Sequence, residues 1–199
     1  AGRSAFEPFR VSKPKVALRE RRFRAMGCQC HILVLGSAEA LLDAAEQRVR
    51  ELDDCWTRFS PDSELSRFNG QAGQDVAISA DMRLLLERSL AGYELSAGLF
   101  DPFLAGQVAA AGYDRDFDEL KAAPVTELAG LAAVTRSPGL ADGSPTPNLT
   151  AVPGGHADNP PAPAPLSLAP DGSSARLDPD AEVDSGGIGK GLGAELVAT

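Results

Sequence analysis

The sequence predicts an α+β protein, with a mixed sheet flanked by helices. Three observations carry that reading. Residues 30–35 (CHILVL) form a short apolar run that stops at Gly36, as a buried strand does. Two longer segments then repeat their apolar residues every three or four positions, the period of a helix with one face on a core. Late in the chain, Leu166-Ser167-Leu168 and Ala175-Arg176-Leu177 flank Pro170-Asp171-Gly172-Ser173, a hairpin signal.

After the first strand, Ser37 is placed to cap a helix whose stripe is Leu41, Leu42, Ala45, Val49, Leu52 and Trp56. Glu46 and Arg50 stand four apart on it, an ion-pair spacing. Ser60-Pro61-Asp62 marks the turn that follows. Ser79 caps a second helix with Asp81 in its first turn and Met82, Leu85, Leu86, Leu90 and Tyr93 on its buried side, ending near Ser96-Ala97-Gly98. Residues 103–111 read as a shorter helix, begun by Pro102 and stopped by Gly112. Residues 138–165 hold eight of the 15 prolines with no apolar period, so they read as a mobile insertion, and His156 within them as solvated. The organisation is thus a basic arm (1–24), an α+β region (25–137), the Pro-rich insertion (138–165), and a hairpin with a Gly-rich segment and a helix start (166–199). The chain stops before that helix could be complete.

At 199 residues, 43% hydrophobic and 24% charged, the chain has a globular composition. Its net charge of −9 argues against nucleic acid as a partner, because phosphate contacts need a basic face. No run of 18 apolar residues occurs, so the sequence predicts a soluble protein with no membrane-spanning helix. Charge is uneven: the first 24 residues balance at +6 and the rest at −15. Such an arm could touch anionic lipid or nucleic acid; its simpler reading is a solvated tail leading into a strand. Cys28, Cys30 and Cys55 are too few for a disulfide framework. Cys28 and Cys30 share a strand face beside His31, which allows a metal site, but the fourth ligand is missing and small core residues explain them better.

Three segments could carry chemistry. Gly186, Gly187, Gly189, Gly191 and Gly193 precede or open a helix, where backbone amides face an anion at the positive end of the helix dipole. The spacing is neither a Walker phosphate loop nor a dinucleotide fingerprint. Tight helix packing explains these glycines as well as ligand binding does; Asp184 and Lys190 around them favour a phosphate or metal-phosphate site. Residues 58–69 (RFSPDSELSRFN) interleave aromatics with polar residues, as a surface loop with two anchoring phenylalanines or as a ligand loop. Residues 98–102 (GLFDP) are a helix start whose backbone edge could read a planar base.

These segments, in this order and behind Ala25-Met26-Gly27, resemble the ApbE family of FAD:protein FMN transferases. The resemblance rests on Met26-Gly27, residues 56–69, residues 98–102 and residues 184–191, and it implies a two-subdomain fold truncated here at the C-terminus. By similarity Met26 lies along the flavin nucleotide, and Phe59 stacks on adenine where the family often has Tyr. Leu99, Phe100 and Asp101 match the segment that reads the adenosine part, and Asp184 and Lys190 match flavin-contacting positions. Gly187 matches a position whose carbonyl ligates the metal, Mg²⁺; family members often have Ala there, an exchange expected to cost nothing. The implied reaction is Mg²⁺-dependent cleavage of FAD, with FMN passed to a Thr or Ser hydroxyl of an acceptor protein and AMP released. A non-catalytic flavin-binding module and an FAD pyrophosphatase are the alternatives. The resemblance leaves the catalytic residues to a C-terminal half, so these 199 residues alone are expected to be inactive. It allows a membrane-associated acceptor and leaves the compartment open between cytoplasmic and extracytoplasmic, with neither leader nor lipoprotein cysteine in the chain.

Overall fold

The computed structural model describes residues 17–36, 39–115 and 163–198. The Pro-rich stretch up to residue 162, His156, Ser37 and residues 1–16 lie outside the described residues.

Strands β1 (Leu18–Ala25) and β2 (Cys28–Leu35) form an antiparallel hairpin closed by Met26 and Gly27, with Ala25 opposite Cys28. Both turn residues have positive φ, 51° and 66°, the backbone of a type I′ turn. For Met26 that conformation costs about 1 kcal/mol, the Cβ crowding that glycine escapes. Its backbone N–H donates to Asp53 Oδ2 at 2.8 Å, which holds the turn against helix α1 (Glu39–Trp56). Residues 18–24, read as the end of a solvated arm, are therefore strand. Arg21 is spent on the acidic side of α1, meeting Asp43 at 2.6 Å, Glu46 at 3.2 Å and Glu39 at 3.2 Å. The strand read as buried is buried on one side only. Cys30 and Ile32 pack with Phe23, Ala25, Val49 and Val197, while His31, Leu33 and Leu35 face outward. Alternation also parts His31 from the two cysteines, and it pairs with Glu20 at 2.8 Å instead.

Helix α1 buries Leu42, Val49, Leu52 and Trp56; Leu41, one of the expected stripe, is exposed. Glu46 and Arg50 pair at 2.7 Å as their spacing predicts. A short helix that the sequence reading treated as turn, α2 (Glu64–Asn69), follows. Ser63 caps it by accepting from Ser66 N–H at 3.0 Å, and Leu65 and Phe68 enter the core. Helix α3 (Ala80–Leu95) starts at Ser79, whose Oγ accepts from Met82 N–H at 3.1 Å. Helix α4 (Ala105–Ala110) begins later than Pro102 suggests, because Asp101 Oδ1 takes the Phe103 N–H at 2.9 Å and makes a turn there first. The expected hairpin is β4 (Leu166–Leu168) with β5 (Ser174–Leu177). Strand β3 (Asp75–Ala77), with no signal in the sequence, adds to β5 and gives the antiparallel order β3-β5-β4. Helix α5 (Gly189–Ala198) closes the described chain.

The described residues are thus α+β, with two small sheets and a parallel bridge between Leu104 and Glu182. One core joins α1 (Leu52, Trp56), α2 (Leu65, Phe68), α3 (Met82, Leu85, Leu86) and the second sheet (Leu166, Ala175, Leu177), with Leu192 from α5. No helix among the described residues is long and apolar enough to cross a membrane.

Arg48 of α1 grips Asp81 of α3 through two hydrogen bonds of 2.7 and 2.6 Å. Those bonds hold the Asp81 carboxyl below its ordinary 3.8. A lowered carboxyl pKa stabilises the fold above the unfolded value, and the gain disappears as pH falls through the folded one. The pair is partly exposed, so Asp81→Asn is expected to cost about 1 kcal/mol at neutral pH and nothing in strong acid. Denaturant melts at neutral and acidic pH check this; an equal loss at both would refute it.

Candidate active site

A cleft of about 230 Å³ opens where the β1–β2 turn, the end of α1, the start of α5 and the segment after α4 meet. Met26, Phe59, Asp184 and Lys190 all line it, although up to 164 positions of sequence separate them. Asp53, Trp56, Thr57, Arg58, Tyr113 and Ser185 line it too.

Each wall is held by a specific contact. Asn69 clamps the segment before the glycine run: its side-chain amide donates to Val183 O and its Oδ1 accepts from Val183 N–H, both at 2.9 Å. Asp184 N–H then donates to Pro102 O at 2.8 Å, and Asp184 Oδ1 accepts from Gly186 N–H at 2.8 Å, which curls the glycines toward α5. Ser185 Oγ donates to Trp56 O at 2.8 Å and fixes the run against α1. Trp56 is 2% exposed, with its indole N–H on Asp81 O at 3.2 Å. Gly189 and Lys190 open α5 at the cleft, so the positive end of that helix dipole lies at it, with Lys190 among its lining residues.

The glycines divide by use. A Cβ on Gly187 would stand 2.6 Å from Cε2 of Phe100, and one on Gly193 would stand 3.1 Å from Cε of Met26. Both are close-packing positions. The expectation that Ala at 187 costs nothing does not hold for this chain, because the Phe100 ring fills the space a methyl would take. Gly186 and Gly189 line the cleft, and Gly191 has open space beside it.

The GLFDP segment contributes from behind. Phe100 packs on Gly187 and Gly92, Asp101 spends an oxygen on the Phe103 N–H, and Leu99 is 76% exposed. None of the three lines the cleft itself. Most polar residues of the 58–69 segment are structural: Ser63 caps α2, Glu64 Oε1 accepts from Ser79 N–H at 2.6 Å, and Asn69 holds Val183. Only Arg58 and Phe59 of that segment reach the cleft. The sequence reading missed Asp53 and Tyr113, and it gave no role to Arg58, which opens its 58–69 segment. Asp53, one helical turn before Trp56, had a spacing signal; Tyr113 had none.

Burial and the neighbouring Glu64 carboxylate push the Cys55 thiol up to about 12, which disfavours the reactive thiolate. Among the described residues no three His, Cys, Asp or Glu side chains stand close enough to share a metal ion.

A family model described as the ApbE family matches residues 26–199. The fold is similar to the crystal structure of the ApbE protein from Thermotoga maritima, with a TM-score of 0.63 at 15% identity, over 91% of this chain and 51% of that one. It is similar to the flavin transferase ApbE from Vibrio cholerae, with a TM-score of 0.61 at 19% identity, over 92% and 52%. The apo flavinyl transferase ApbE from Pseudomonas stutzeri gives 0.62 at 16%, over 94% and 56%. The chain thus spans about half the length of these structures. A search of curated proteins gives no match.

Proposed function

The chain belongs to the ApbE family, and from that premise we propose that it carries the flavin-nucleotide site of an enzyme that moves FMN from FAD to a protein hydroxyl. In this reading a Thr or Ser oxygen of the acceptor bonds to the FMN phosphorus as the bond to the AMP phosphate breaks. The hydroxyl proton is lost and AMP leaves. The observation that carries the reading is the convergence of Met26, Phe59, Asp184 and Lys190 on one cleft at the positive end of α5.

The proposed division of labour follows from chemistry. Met26 offers an apolar, polarisable side chain to a flavin ring. Phe59, 37% exposed, offers a ring face to a planar base. Lys190 and the α5 amides offset charge on the diphosphate. Asp184 shapes the glycine turn, and residues 99–101 back it on the adenosine side. Mg²⁺ takes six oxygens in near-octahedral geometry and would neutralise phosphate charge when bound. The described residues do not make such a site by themselves: they hold no cluster of three side-chain ligands, and Gly187, whose carbonyl the resemblance offers, does not line the cleft. We assign the other oxygens and the general base to the family-length sequence that this chain does not span.

Two measurements test this. The full-length gene product, given FAD, Mg²⁺ and a Thr-bearing acceptor peptide, is expected to leave covalent fluorescent flavin on the peptide and to release AMP. Release of FMN and AMP with an unlabelled peptide would assign FAD hydrolysis, and no release at all would refute the enzyme. The 199-residue chain is expected to bind FAD without turnover, read from quenching of its single tryptophan, Trp56, which lines the cleft. Lys190→Ala should weaken that binding about tenfold, the worth of one charge-assisted contact; unchanged affinity would return the glycine run to packing alone.

A further inference from the structure

Arg58 stands apart from the other cleft residues, and the family motifs give it no role. Its side chain is 10% exposed, yet it lines the cleft. A buried guanidinium needs partners, because desolvating it is costly. Those it has are incomplete. Among the described residues its one hydrogen-bond acceptor is the Tyr113 carbonyl, taken by Nη2. Its Nε lies 3.7 Å from Asp184 Oδ1, beyond hydrogen-bond length, and that oxygen already holds Gly186 N–H. Two rings pack on it: the guanidinium carbon sits 4.4 Å from the centre of the Phe59 ring and 4.7 Å from that of Tyr113. Phe59 and Tyr113 meet edge to face at 5.8 Å. Contact with the two rings holds the guanidinium in place but gives its five N–H donors no oxygen acceptor.

Resting on the flavin-nucleotide reading, we propose that Arg58 is a phosphate-binding residue of the cleft, held against Phe59 and Tyr113 with donors left over for an anionic oxygen. The chemistry suits a nucleotide phosphate: a planar fork of donors matches its oxygens, and a nine-tenths buried site strengthens each bond. Asp184, at 3.7 Å, offsets the charge while leaving the donors available. The same guanidinium backs Phe59, so a planar base stacking on that ring uses the other face. Arg58 therefore ties the two ends of a nucleotide, ring and phosphate, to one residue.

The test separates phosphate binding from wall-building by using ligands with and without phosphate. FAD and ADP carry it; riboflavin and adenosine do not. Arg58→Met keeps the length and apolar stem, and Arg58→Lys keeps the charge while losing the fork. Arg58→Met is expected to weaken FAD and ADP by about tenfold to a hundredfold and to leave riboflavin and adenosine unchanged. Arg58→Lys should recover part of the loss for FAD and ADP. Wild-type affinity for FAD and ADP should also fall with added salt more steeply than that of Arg58→Met. Equal losses for all four ligands, or none for FAD, would overturn the phosphate role while the flavin-nucleotide reading stands. A wild-type chain that binds none of the four would overturn both.

Discussion

Trp56→Ala is expected to cost the fold about 3–5 kcal/mol, the largest loss at any single position of the cleft, because a large buried ring leaves a void that neighbours fill only in part. Trp56 is 2% exposed and sits where α1, α3 and the glycine run meet. Its removal takes away the indole bond to Asp81 O and the ring that a Cβ on Gly189 would meet at 3.7 Å. Trp56→Phe keeps most of the volume and loses one hydrogen bond, so it should cost far less, near 1 kcal/mol. As the chain has no other tryptophan, unfolding of both variants is followed by far-UV circular dichroism in denaturant. A Trp56→Ala midpoint equal to wild type would mean that the ring is not part of the core described here.

Asp184→Ala should be the most damaging change to ligand binding among the acidic residues of the cleft. It releases Gly186 N–H and removes a carboxylate that stands 3.7 Å from the buried Arg58. Breaking a buried pair by deleting one partner costs more than the pair contributes, since the survivor is left uncompensated; Asp184 is 22% exposed, so about 2 kcal/mol is expected rather than the full buried value. FAD affinity should fall with it, because the amides of the glycine run lose their direction. Asp184→Asn separates the effects: its amide oxygen can still accept from Gly186 N–H, while the charge facing Arg58 is gone. The expectation is a loss of stability with the turn retained, and FAD affinity between wild type and Asp184→Ala. Identical behaviour of the two variants would place the whole effect in charge, and wild-type affinity in Asp184→Ala would remove the glycine turn from the site.

Some of this was written in local chemistry. The caps Ser79 and Gly112, the stripe from Leu42 to Trp56 and the β4–β5 hairpin each follow from residues within one or two turns of each other. The elements misjudged show where local rules stop. Helix α2 has only six residues, too short to show a period, and it stands because Ser63 caps it and Leu65 and Phe68 are buried by the core. Strand β3 has three residues and exists because β5 offers it an edge. Leu41 matched the helical period yet faces solvent, since the burying surface is narrower than the stripe.

The site divides in the same way. Met26-Gly27 and Phe59 are named by their match to family motifs, whereas Asp184 to Lys190 could be picked out by local chemistry, as a glycine run before a helix. Arg58, Asp53 and Tyr113 could not, since their roles are relations between distant segments: Arg58 meets a carbonyl 55 residues away, and Asp53 holds an amide 27 residues back. The amino-acid order by itself determined which short stretches would coil, extend or turn, and which carried unusual chemistry. Only the tertiary structure decided that Phe100 lies behind the glycine run instead of in the cleft, and that a buried arginine stands between two rings with donors to spare. The reason is physical: periodicity and capping act over a few residues, whereas a cleft is defined by packing among elements that the backbone brings together from far apart.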